Sequence, residues 1–279
     1  MMQLSLSSTL KWGEAKLNQL RSVDGTAIAF DVLGAGPAVI LVDGAMTARS
    51  SGTKPELARL LAERLTVYTY DRRGRGDSGD TQPYSVGREI EDIEALIGEA
   101  GGSAFLYGHS SGACLSLDAA VSLGGKVKKL AMYEAPYNDD PQARKNFRDY
   151  ITKLSEALGS GRRGDAAALF MGLVGTPAAQ IEGMRREPFW SGMEAIAPTL
   201  AYDHAGVMGE DGSIPIERVA RVRVPTLVMV GGKGAPFMLE TAKTLSRTIP
   251  GAKLRTLEDQ DHNVQPQALA PVLLEFLAA

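Results

Sequence analysis

The strongest constraint on the fold is a rhythm: short apolar runs, each followed by a stretch with helical spacing. Residues 38–42, 66–70, 104–107 and 127–133 read as strands, and an unbroken apolar run such as 38–42 fits a strand covered on both faces. Residues 55–65, 87–100 and 111–122 have helical spacing between them. The rhythm returns with a strand at 226–230, a helix at 240–249, a strand at 253–257 and a helix at 266–279. Such alternation predicts an α/β protein with a mostly parallel twisted sheet and helices on both faces. Near the start, strands at 17–23 and 26–33 flank Asp24-Gly25, a two-residue turn signal, so an antiparallel hairpin is expected at one edge.

Residues 138–223 break the rhythm. They carry helical patterns that open near Pro141 and Gly161, an apolar stripe at 166–173 and no convincing strand. The expected organisation is a core made of residues 1–137 and 224–279, with 138–223 inserted as a helical cap. Phe170, Met171, Met184, Phe189, Trp190, Met193 and Met208 are expected to pack the cap onto the sheet. Some of them are also candidates to line an apolar substrate pocket.

A length of 279 residues suits one large domain with an insertion. The net charge of −3 and the lack of charge runs argue against a nucleic-acid binder. Cys114 is the single cysteine, so no intramolecular disulfide framework exists and a cytoplasmic setting is expected. Residues 1–10 lack the basic and long apolar regions of a signal peptide, and no run of about 18 apolar residues suggests a membrane span. No H-E-x-x-H or helical His pair occurs, and Gly231-Gly232-Lys233-Gly234 lacks dinucleotide spacing, so neither metal nor cofactor is expected. The expected partner is a small-molecule substrate, with neither nucleic acid nor membrane; a homodimer stays open.

Gly108-His109-Ser110-Ser111-Gly112 matches G-x-S-x-G. The pattern alone is weak, but it follows an apolar strand directly and opens a helix. That is the setting in which a serine is held exposed on a strained turn. Ser110 is therefore the candidate nucleophile, backed by the positive end of the following helix.

With this elbow and the loop Asp71-Arg72-Arg73-Gly74-Arg75-Gly76-Asp77-Ser78, the chain resembles the α/β-hydrolase superfamily over nearly its whole length. The resemblance implies that the Asp71–Ser78 loop is structural, with Asp71 and Arg72 as local bonding partners. It implies a base in the loop after the last strand, where Asp261-His262-Asn263 lies. His262 is then the candidate base, since a neutral imidazole can take the serine proton and return it to a leaving group. His109 sits in the elbow, expected to point away from the reacting face. His204 lies in the insertion, where it either packs the cap or faces substrate.

The acid departs from the superfamily pattern. Most members carry an Asp after the strand at 226–230, and Gly231–Gly234 holds no carboxylate. Glu134, at the end of the strand 127–133, is the candidate, the alternative being a strand-end or cap-anchoring role; Asp261 adjoins the base too closely to serve. Three short matches resemble zearalenone lactonase-type members: Asp43-Gly44, Ser110 to Ala113, and Glu134 to Pro136. By the same resemblance the oxyanion site is formed by the backbone N–H groups of Ala45 and Ser111. Asp43 is expected to bond loop backbone. The expected activity is hydrolysis of a carboxylic ester or lactone of a small apolar substrate through an acyl-enzyme. Alternatives on the same fold are a lyase, a C–C hydrolase, a cofactor-free oxygenase or perhydrolase, or a non-catalytic receptor.

Overall fold

The structure is a computed structural model and describes residues 18–278. The expectation about residues 1–10 lies outside the described residues, as do Leu17 and Ala279 at the ends of two expected elements.

The strands are β1 (Asn18–Arg21), β2 (Ala27–Leu33), β3 (Ala38–Val42), β4 (Thr66–Tyr70), β5 (Ala104–His109), β6 (Val127–Tyr133), β7 (Thr226–Gly231) and β8 (Lys253–Leu257). They form one sheet in the order β1-β2-β4-β3-β5-β6-β7-β8. The β1–β2 and β2–β4 pairs are antiparallel and all others parallel. The expected edge hairpin is present, but its turn is wider than Asp24-Gly25. Ser22 N–H donates to Thr26 O at 2.9 Å, so Val23 joins the turn, and Asp24 Oδ1 accepts from Thr26 N.

The helices are α1 (Lys54–Leu61), α2 (Val86–Glu99), α3 (Ser111–Leu123), α4 (Pro141–Gly159), α5 (Arg163–Leu173), α6 (Ala178–Met184), α7 (Trp190–Ile196), α8 (Ile216–Val219), α9 (Pro236–Thr248) and α10 (Pro266–Leu277). Helix α9 begins at Pro236, before the first residue of the helical spacing, because proline pre-sets φ for a first helical position and needs no N–H there. Helix α4 starts for the same reason at Pro141, with Asp140 Oδ1 accepting from Ala143 N at 2.8 Å.

Strand β3 shows how the sequence builds two layers. Val39 and Leu41 pack with Leu57 and Leu61 of α1 and Leu269 and Leu273 of α10. Ile40 and Val42 face the other way, toward Ile93 and Leu96 of α2 and Leu115 and Leu117 of α3. Burying each such side chain contributes about 1.5–3 kcal/mol before ordering costs. Helix α3 is covered nearly all round, and Cys114 within it is fully buried. Between β6 and β7 the chain is helical, running α4 to α8 with a π-helical turn at Tyr202–Val207. Among the described residues no helix is long and apolar enough to cross a membrane.

Candidate active site

Ser110 stands between β5 and α3 at φ 57°, ψ −131°. An L-residue held there costs about 1–3 kcal/mol, so the surroundings must impose it. They do: Ser110 N–H donates to Tyr133 O at 3.0 Å, and Ser110 O accepts from Ala113 N at 2.8 Å. The flanking glycines are required by contact. A Cβ on Gly112 would run into the carbonyls of Val42 and Asp43, and one on Gly108 would meet Ala113 Cα at 2.6 Å. The loop after β3 reaches the elbow too, since a Cβ on Gly44 would lie 2.8 Å from Ser110 Cβ. Ala45 and Ser111 therefore flank Ser110 along two different chain segments.

His262 lies after β8, and its Nδ1 is 2.7 Å from Glu134 Oε2. Glu134 is buried, whereas the His262 side chain is 41% exposed. With Glu134 as a carboxylate the bond puts the proton on Nδ1 and leaves the lone pair on Nε2. Glu134 takes the left-handed backbone at φ 47°. Its Oε1 accepts from Gly231 N at 2.9 Å, and a Cβ on Gly234 would come within 2.6 Å of that oxygen. The carboxylate thus fills the space at the end of β7, which pairs with β6 beside it. Asp261 faces elsewhere and accepts from Asn263 N at 2.8 Å.

Two further side chains hold the His262 loop by its backbone. Tyr133 Oη donates to Asp261 O at 2.6 Å, and His109 Nε2 donates to His262 O at 3.0 Å. His109 thus touches the loop of His262, its ring 4.8 Å from that of His262. Burial and the nearby His262 ring lower its pKa to about 3, so it stays neutral.

On the other side of the elbow is a buried ionic cluster. Arg72 forks onto Glu89 of α2 at 2.6 and 2.7 Å, and its Nη1 donates to Asp203 Oδ1 at 2.6 Å and to Asp43 O at 3.1 Å. Arg75 donates to Gly44 O at 2.6 Å and to Asp203 Oδ2 at 2.5 Å. Ser111 Oγ donates to Asp203 Oδ1 at 2.7 Å. Burial alone would raise the Asp203 pKa; the Arg72 and Arg75 guanidiniums outweigh it and hold it at about 2. Arg72 is thus no local partner but ties α2, the loop after β3 and the π-helical turn together. Asp71 acts locally only in part: it accepts from Asp77 N within its own loop, but also from Arg49 N at 2.7 Å and pairs with the Arg49 guanidinium in the segment after β3.

Asp43 departs from expectation. Its carboxylate pairs with Lys54 Nζ at 2.8 Å rather than with loop backbone, because a buried carboxylate is better offset by a cation. Burial still pushes its pKa up against the pull of Lys54. His204 is buried on the π-helical turn, with Nδ1 2.9 Å from Tyr150 Oη and its ring among Phe147, Tyr150 and Phe170. Trp190 and Met208 are buried, Phe170, Met171, Met184 and Met193 partly so, and Phe189 is exposed. Among the described residues no group of three or more His, Cys, Asp or Glu is arranged to hold a metal ion.

The sequence profile of the Alpha/beta hydrolase family matches residues 39–272. The crystal structure of an alpha/beta hydrolase from Sphaerobacter thermophilus is 51% identical, with a TM-score of 0.82 over 93% of this chain and 99% of that one. The putative carbamate hydrolase RutD of Azorhizobium caulinodans is 26% identical over 88% of this chain and 93% of its own length. The uncharacterized hydrolase YraK of Bacillus subtilis is 29% identical over 50% of this chain, which spans 58% of YraK's length. On the family match, the long and close likeness to the Sphaerobacter protein and the sheet order, the chain belongs to the alpha/beta hydrolase family and is a hydrolase of that superfamily.

Proposed function

We propose that the protein cleaves a carboxylic ester or lactone of a small apolar substrate through an acyl-enzyme on Ser110. The supporting observation is the 2.7 Å contact between His262 Nδ1 and the buried Glu134, on a loop anchored by the residue before Ser110. In this reading Ser110 Oγ attacks the acyl carbon while His262 Nε2 takes its proton. Glu134 stabilises the imidazolium, and the N–H groups of Ala45 and Ser111 hold the developing oxyanion. The tetrahedral intermediate collapses, the alcohol leaves with the proton from His262, and water repeats the sequence on the acyl-enzyme. Residues 138–223 are the cap over this site. The three short lactonase-type matches bear on the position of the acid and leave the substrate open. A carbamate, the substrate class in the name of the Azorhizobium relative, also presents an acyl carbon and falls within this chemistry.

A fluorophosphonate probe is expected to add to Ser110 in the wild-type protein and not in Ser110→Ala. Esters and lactones of graded acyl size should show turnover for at least one member. No labelling together with no hydrolysis of any of them would overturn the proposal.

A further inference from the structure

Asp203 is carried by the segment between β6 and β7, 131 residues from Arg72, and is fully buried, yet every hydrogen bond described for its carboxylate comes from Arg72 and Arg75 in the loop after β4 or from Ser111 beside the elbow serine. Its Oδ1 accepts from Ser111 Oγ and Arg72 Nη1, and its Oδ2 from Arg75 Nη2. The same two guanidiniums donate to the consecutive carbonyls of Asp43 and Gly44. A trans peptide points its C=O and N–H in opposite directions, so the bond to Gly44 O also fixes the direction of the Ala45 N–H. Thr47 Oγ1 shares that carbonyl at 2.8 Å, but as a neutral donor from the same loop. Arg75 supplies the charge-assisted bond from outside the loop.

We propose that Asp203 is a positioning residue for the oxyanion site: through Arg75 it orients the Ala45 N–H, and through the Ser111 hydroxyl it orients the first turn of α3. This rests on the reading of Ser110 as an acyl-forming nucleophile. Remove the charge, and Arg72 keeps its fork onto Glu89 while Arg75 loses the anion it is paired with and faces an amide that can accept from only one side. Arg75 then gives up its hold on Gly44 O, and one oxyanion donor loses its aim. That donor matters more in the transition state than in the Michaelis complex, so the loss falls on kcat. A residue that only anchored the cap would instead change KM.

The test uses the full chain, the p-nitrophenyl ester that the wild type turns over best, and phenylboronic acid, whose tetrahedral serine adduct mimics the oxyanion. Asp203→Asn is expected to lower kcat about 10–100-fold, with KM held within about twofold. Its affinity for phenylboronic acid should fall in parallel with kcat/KM. A folded Asp203→Asn with wild-type kcat, whatever its KM, overturns the inference. If circular dichroism shows Asp203→Asn unfolded, Ser111→Ala decides, because it keeps the backbone N–H and removes one hydroxyl. A kcat loss of about 3–10-fold at unchanged KM supports the inference, and no loss overturns it. Fluorophosphonate labelling of the wild type at Ser110 keeps the two questions apart. Without it the acyl-enzyme reading itself fails; with it the variants judge Asp203 alone.

Discussion

The two sides of Ser110 each hold a buried carboxylate, and they use it in opposite ways. On one side Glu134 faces a single half-exposed imidazole, whose ring nitrogens can each donate or accept a proton. On the other Asp203 faces two buried guanidiniums, which keep their charge at any working pH. The first arrangement can pass a proton and the second cannot. On the proposed mechanism a carboxylate's task is set by its partner: beside histidine it serves transfer, beside arginine it serves geometry.

The largest effects should come from the imidazole side. His262→Ala is expected to lower kcat by about 10³-fold or more, and adding Ser110→Ala should cost little further, because the pair acts as a unit. Steady-state kinetics on the three variants check this, and a multiplicative loss in the double variant would break the comparison.

Glu134→Gln keeps the shape and removes the charge, so kcat should fall by about 10³–10⁴-fold while the protein stays folded. Gly234→Asp sharpens the point. In the wild type it should be damaging, since even its Cβ would crowd Glu134 Oε1. In Glu134→Ala that space is vacated, and the same change should restore part of the activity. An identical effect of Gly234→Asp in both backgrounds would argue that the two positions do not share one site.

The smallest effect concerns His204, next in sequence to Asp203. Burial lowers its pKa to about 4. The unfolded histidine titrates near about 6.5, so between these values the unfolded chain binds more protons and stability falls as pH falls. His204 should account for a loss of up to about 3 kcal/mol between about pH 7 and pH 4. His204→Gln should remove that share of the slope in urea unfolding, while kcat stays within about threefold. An unchanged slope would show that His204 is not held neutral.

The sequence made one side of this site far more legible than the other. Ser110 is marked by its local context between strand and helix, and the superfamily resemblance then points to His262 in the loop after β8 and to Glu134 at the end of β6; strands β3, β4, β6 and β8 begin and end where the sequence pattern puts them. Helix α1 ends at Leu61 rather than 65 and β5 runs on to His109, because helix fraying and parallel pairing to Tyr133 leave no local mark. The arginine side was half readable. Three arginines within Arg72–Arg75 call for buried carboxylates, and Glu89 and Asp92 sit three apart on the face of α2 that carries Ile93 and Leu96. Asp203 had no such signal, since its partners come from a distant segment and the π-helical turn that carries it has no sequence period. Lys54 was missed as the partner of Asp43 for the same reason of distance.

The burial of Cys114 makes the chain its own stopwatch. With one thiol in the sequence, deep in α3 and with its ionisation suppressed by burial, the closed molecule offers no thiolate to attack a water-soluble disulfide reagent and expel its coloured thiol. Colour release from such a reagent would therefore time the opening of the central helix itself, with no label added and no residue changed.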